Sequence, residues 1–185
     1  GSSAASDVYK RQAYASSGIS GLGNGVVTAT ISEGDMSTLA GLTETGNAYT
    51  VTITDTSVVS SALNTLDGKT TVAVNAAAVT TLTGLAADAN TAYASSGISG
   101  LGDEAVTLSD TSLASSVLNT LDGNTTGAVN AATVLTLTGT AAAANTAYAS
   151  SGISGLGNEA VTLSDTSLAA SVLNLALIHI RRCLR

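Results

Sequence analysis

Residues Ala92–Asn119 are written a second time as 147–174 with only two changes, Asp103 to Asn158 and Ser115 to Ala170. Self-similarity at an interval of 55 residues over so long a window restricts the chain to repeat architectures. One repeat unit of this size cannot bury its own apolar face, so the units must stack on one another.

The repeat also delimits the chain at both ends. It begins to match only at Ala13, and after Asn174 the sequence reads LALIHIRRCLR where Asn64 and Asn119 are followed by Thr-Leu-Asp-Gly. The flanks SDVYKRQ and LALIHIRRC resemble translated adapter sequence from environmental DNA. Residues 1–12 and 175–185 are therefore expected to be non-native flanks of an internal, metagenomic fragment, poorly packed or unpacked, with 13–174 as a single repeat body.

Without those flanks the body has Lys69 as its only base against twelve acids, a formal charge of −11. A phosphate backbone needs a basic stripe and an anionic membrane needs basic segments, so neither nucleic acid nor membrane is an expected partner. No apolar run reaches the length of a membrane span. The body has no Cys and no His, which removes disulfides, thiolate metal sites and the common catalytic triads. Stability must then come from packing and hydrogen bonds.

Within the 55-residue unit a shorter beat appears in TATIS, TVTIT, TTLTG, VTLSD, LTLTG and VTLSD. Their central residues are Ile31, Ile53, Leu82, Leu108, Leu137 and Leu163, spaced by 22, 29, 26, 29 and 26. Alternation places these side chains on one face and hydroxyls on the other, the pattern of a half-buried strand, and Thr and Val favour it further.

After each strand the period becomes helical. Leu113, Val117, Leu118 and Leu121 form an apolar stripe, with Asp110, Thr111 and Ser112 as caps and Asp122-Gly123 as the stop. In the alternate unit Thr140 is the expected cap of a helix with Ala141, Ala144 and Tyr148 on one face. AVNAA at 128–132 is strand-like, SGISGLG at 151–157 reads as a turn, and a short helix is expected near Met36–Leu42. The fold class that follows is an α/β solenoid: about six strand-plus-helix coils, paired in the 55-residue repeat, with a parallel sheet and the six Ile and Leu centres stacked inside. Immunoglobulin-like sandwiches need about 100 residues and seven strands each, which a 55-residue period with two helices does not match.

The units VTLSDTSLASSVLNTLDGNTTGAVNAATVLTLTGTAAAANTAYASSGISGLG resemble the repeats of very large surface proteins of marine cyanobacteria and other aquatic bacteria. That resemblance implies an extracellular, adhesin-like, non-catalytic segment of a cell-surface protein, whose partners are further copies of the same repeat in the parent chain. It implies no catalytic residues and no cofactor.

Three candidate sites remain. Carboxylate pairs could serve glycoside chemistry, but the acids recur with the repeat rather than converging on one place, so an enzyme is not expected. For calcium, the glycine-rich nonapeptide is absent, and Asp55, Asp110 and Asp165 occupy equivalent places two coils apart, too far to share an ion; they are expected to cap helices. The same spacing denies Tyr93 and Tyr148 a ring ladder. The third is a hydroxyl ladder: Thr30 with Ser32, Thr52 with Thr54, Thr81 with Thr83, Thr107 with Ser109, Thr136 with Thr138, and Thr162 with Ser164. Aligned strands would turn these into a Thr-x-Thr grid resembling the surfaces of ice-binding β-solenoids, with ice, surface polysaccharide or another extracellular ligand as its partner. The competing reading is a plain solvated sheet.

Overall fold

The computed structural model describes residues 26–173; the expected flanks 1–12 and 175–185 lie outside them. Strands and helices alternate: β1 Thr28–Thr30, α1 Met36–Leu39, β2 Ala48–Thr50, β3 Ser57–Val59, α2 Ser60–Asp67, β4 Val74–Asn75, β5 Thr81–Gly84 and α3 Ala86–Ala94. There follow β6 Ile98–Ser99, β7 Ala105–Leu108, β8 Ser112–Ala114, α4 Ser115–Asn124, β9 Val129–Asn130, β10 Thr136–Gly139, α5 Ala141–Ala149, β11 Ile153–Ser154 and β12 Ala160–Leu163. The chain is thus an α/β fold, and every strand pairing is parallel.

The register follows one rule. Ser57 pairs with Thr81, Thr81 with Ala105, Val74 with Ile98, Ser112 with Thr136, Thr136 with Ala160, and Val129 with Ile153, always 24 residues on. The exceptions are β7 with β9, where Val106 faces Val129, and the shorter offset of β1 with β2, where Thr28 faces Ala48. Successive strands begin seven residues apart, as at 74 and 81, at 98, 105 and 112, at 129 and 136, and at 153 and 160.

Two passes of 24 residues leave seven of the 55 over, which is one strand with its turn. One pass therefore carries three strands before its helix (β6, β7, β8, α4) and the next carries two (β9, β10, α5). The ladder moves sideways as a result. The five-stranded sheet runs β3-β5-β7-β9-β11, beginning on the last strand of one long pass and ending on the first strand of another. A new sheet, β8-β10-β12, starts beside it. Residues 55 apart are equivalent in sequence, yet they do not face each other.

This register corrects the expected stacking of the six strand centres. Leu82 lies between Val58 and Val106, Leu137 lies between Leu113 and Val161, and Leu108 is opposite Gly84. Leu108 and Leu137 belong to separate sheets. Ile31, Ile53, Leu82, Leu108 and Leu137 are buried, while Leu163 is half-buried. The alternation correctly marks the inward side of each strand. It carries no information about which inward residue meets which, because that depends on the residue count per pass.

Further corrections concern local structure. Leu113, expected in the helical stripe, lies in β8, and α4 begins at Ser115 instead of near Asp110. Pairing of 112–114 with 136–138 overrides the helical spacing. SGISGLG is not wholly a turn, since Ile153 and Ser154 form β11, paired with β9. AVNAA does contain a strand, Val129–Asn130, and the short helix near Met36 is present as α1.

The helices pack side by side in chain order, α2 on α3, α3 on α4 and α4 on α5. Their buried faces alternate in size. Leu63 and Leu66 of α2 are followed by Ala86, Ala89 and Ala92 of α3, then by Leu118 and Leu121 of α4, then by Ala141, Ala144 and Ala147 of α5. Large side chains from one helix occupy the space that the small ones of its neighbours leave, which lets short helices interdigitate at close range. Full burial of one such Leu is worth about 1.5–3 kcal/mol.

Candidate functional site

Polar groups inside the stack serve to join one pass to the next. The first set is the aspartates expected to cap helices. Asp110 does cap a helix, but not the one that follows it: its Oδ2 accepts the Ala86 N–H at 2.8 Å, at the start of α3 in the preceding pass. Asp165 accepts the Ala141 N–H at 2.7 Å at the start of α5, and Asp55 accepts the Met36 N–H at 2.6 Å at the start of α1. The N-cap residue of α4, Ala114, offers no side-chain bond. A carboxyl group at a helix start satisfies an orphan amide and complements the helix dipole. Thr140 caps α5 as expected, accepting the Ala143 N–H at 3.2 Å. Asp35 caps α1, and hydrogen bonds from Ser37 and the Thr38 amide hold its carboxyl below the usual range.

The position of the Asp110 contact leads to a discriminating prediction. Asp110→Ala is expected to cost about 1 kcal/mol. Its local signature should be faster amide exchange in the first turn of α3, at residues 86–89, with α4 unaffected. Loosening confined to α4 would contradict the cross-pass cap.

The second set is a row of asparagines that sequence reasoning passed over. Asn64 Nδ2 donates to the Asp88 carbonyl at 2.9 Å, Asn90 to that of Val117 at 3.1 Å, and Asn119 to that of Ala143 at 2.9 Å. Each bond runs from one helix to the next. Asn145 holds the same place in α5, and Oδ1 of Asn64, Asn119 and Asn145 is buried without a donor. Asparagine is a poor helix-interior residue, and its recurrence at 64, 90, 119 and 145 was the available signal.

The third set is centred on buried Glu104 and Glu159. Glu104 is 0% exposed; its Oε2 accepts the Tyr93 hydroxyl and the Gly102 N–H, both at 2.9 Å. Glu159 repeats this with Tyr148 at 2.9 Å and with Gly157. Burial, followed by the Glu104 contact, pushes the Tyr93 hydroxyl well above its ordinary range. The next pass closes over the same turn, since Thr125 Oγ1 donates to the Glu104 carbonyl at 2.7 Å. Each tyrosine therefore sits near a helix end, as expected, with a specific partner eleven residues ahead. Asp67 and Asp122, read as helix stops, also accept from Ser95 at 2.7 Å and Ser150 at 2.6 Å across passes.

The hydroxyl ladder does not form the expected grid. Thr81 stands between Ser57 and Ala105, and Thr83 between Val59 and Thr107. In the neighbouring sheet Thr136 stands between Ser112 and Ala160, and Thr138 between Ala114 and Thr162. Thr52 faces Asn75. Only Thr83 with Thr107, and Thr138 with Thr162, are adjacent hydroxyl residues from the expected set. Thr30, Ser32, Thr52, Thr54, Thr107, Ser109, Thr162 and Ser164 are exposed, while Thr81, Thr83, Thr136 and Thr138 are half-buried. The grid presumed that strand centres stack on one another; the 24-residue offset interrupts its columns with Val59, Ala105, Ala114 and Ala160 and divides them between two sheets.

Among the described residues, no three His, Cys, Asp or Glu side chains gather closely enough to hold a metal ion, and no helix is long and apolar enough to cross a membrane. No family model, curated protein or solved structure matches the chain.

Proposed function

We propose that the chain is a stretch of an α/β solenoid and serves as a non-catalytic structural or adhesive segment of a large exported bacterial surface protein, located outside the cell. The constant 24-residue offset is the observation that supports this most directly, because an arrangement in which residue i meets residue i+24 continues for as long as the sequence repeats. The cross-pass contacts point the same way. Caps, asparagines and buried carboxyl groups use their hydrogen bonds to attach each layer to its neighbour, which suits an object selected for length and mechanical continuity. Twelve acids against one base among residues 26–173 keep such an elongated surface soluble through mutual repulsion.

Chains carrying one, two and three additional 55-residue copies provide the test. Each copy adds two layers, so the longest dimension in small-angle scattering should grow by about 10 Å per copy, and the unfolding midpoint should rise with copy number. Copies that unfold independently, or a length that fails to grow, would overturn the solenoid. A complete reading frame encoding a short protein with no export signal would overturn the surface role.

A further inference from the structure

The two copies of the repeat differ where α2 and α4 meet the helix before them. In the second copy this contact is closed: α3 covers α4, Val117 lies on the shared side, and Asn124 Nδ2 donates to Asn90 Oδ1 at 2.9 Å. In the first copy the corresponding residues are Ala62 and Lys69. The covering helix is α1, which has four residues where α3 has nine. A smaller side chain and a shorter lid leave a cavity of about 230 Å³ between α1 and α2, lined by Met36, Leu39, Leu42, Ala62 and Leu66, with Lys69 among its walls.

Lys69 is the only cation among the described residues, against twelve acids. Its ammonium makes one contact, to the Thr43 carbonyl at 3.5 Å, the outer limit of a hydrogen bond, and no carboxyl group of the described residues is within ion-pair range of it. We propose that this cavity binds a small aliphatic or aryl monocarboxylate, its apolar body between α1 and α2 and its carboxylate on Lys69. An apolar cavity of about 150 Å³ admits benzene, so this one suits a chain of about eight carbons. The acids elsewhere on the protein disfavour more highly charged anions, which selects a single carboxylate over a phosphate ester or a polyacid. This inference is independent of the proposed surface role.

The test is isothermal titration of the full chain with octanoate, octan-1-ol and octylamine. Octanoate should bind saturably at one site, more tightly than octylamine. Lys69→Asn installs the residue that the second copy already tolerates at position 124. It should weaken octanoate by on the order of tenfold, the loss of one charge-assisted hydrogen bond, and leave octan-1-ol unchanged. Ala62→Phe, at an exposed helical position, should fill the cavity and remove binding of both. Absence of saturable octanoate binding, equal affinity for octylamine, or an unchanged affinity in Lys69→Asn would each overturn the proposal.

Discussion

Glu104→Ala is expected to lower the unfolding free energy by roughly 3–5 kcal/mol, measured by urea titration. Glu104 is fully buried and is the acceptor for both the Tyr93 hydroxyl and the Gly102 amide. Its removal leaves two buried donors without a partner, each costing about 1–3 kcal/mol, and opens a cavity. The damage extends to the following pass, because Thr125 is bonded to the Glu104 carbonyl and Gly127 packs against the Glu104 main chain. Glu104→Gln should cost far less, since a single carbonyl at the Oε2 position can accept from both Tyr93 and Gly102. The cycle formed with Tyr93→Phe should show a coupling of at least about 0.5 kcal/mol. An additive pair would mean that the tyrosine and the glutamate do not act together.

Gly100→Ala should be comparably damaging, by about 3 kcal/mol or more. Gly100 has φ +85°, a conformation that costs an L side chain about 1–2 kcal/mol. A Cβ there would also come within 2.8 Å of the Ala77 backbone in the preceding pass. Backbone cannot rotate away as a side chain can, so the two passes would have to separate. Gly155 repeats the arrangement in the second copy, at φ +83° and 2.6 Å from the Ala132 nitrogen, and Gly155→Ala should behave alike. Gly123, inside α4, is the control: a Cβ there meets nothing within 4 Å, so Gly123→Ala should be neutral or stabilising by about 0.4–1 kcal/mol. If Gly100→Ala were as mild as Gly123→Ala, the close approach of successive passes would be refuted.

Thr140, Asp110 and Asn90 illustrate three degrees of legibility. Thr140 could be read directly, since an N-cap lies next to the helix it serves and its signal is local. Asp110 was legible as a cap but not as to its target: the helix that it caps begins 24 residues before it. Asn90 carried no readable role, because a surface asparagine and one that bridges two helices are the same letter until the neighbouring helix is in place. Glu104 and Glu159 were hidden by the repeat itself, in which every residue recurs and recurrence therefore distinguishes none of them.

What the sequence determined by itself was therefore local and periodic. The 55-residue identity required stacking, the Thr-x-Thr alternation identified the inward faces of Leu82, Leu108 and Leu137, and the alanine-rich runs marked helices with small faces. Tertiary structure alone decided the residue count per pass. A parallel ladder must keep one offset along its length, and that offset is 24, which does not divide 55. The remaining seven residues form one additional strand in every second pass and carry the sheet sideways. For that reason Leu108 faces Gly84 rather than Leu137, and the hydroxyls expected in one grid are divided between two sheets.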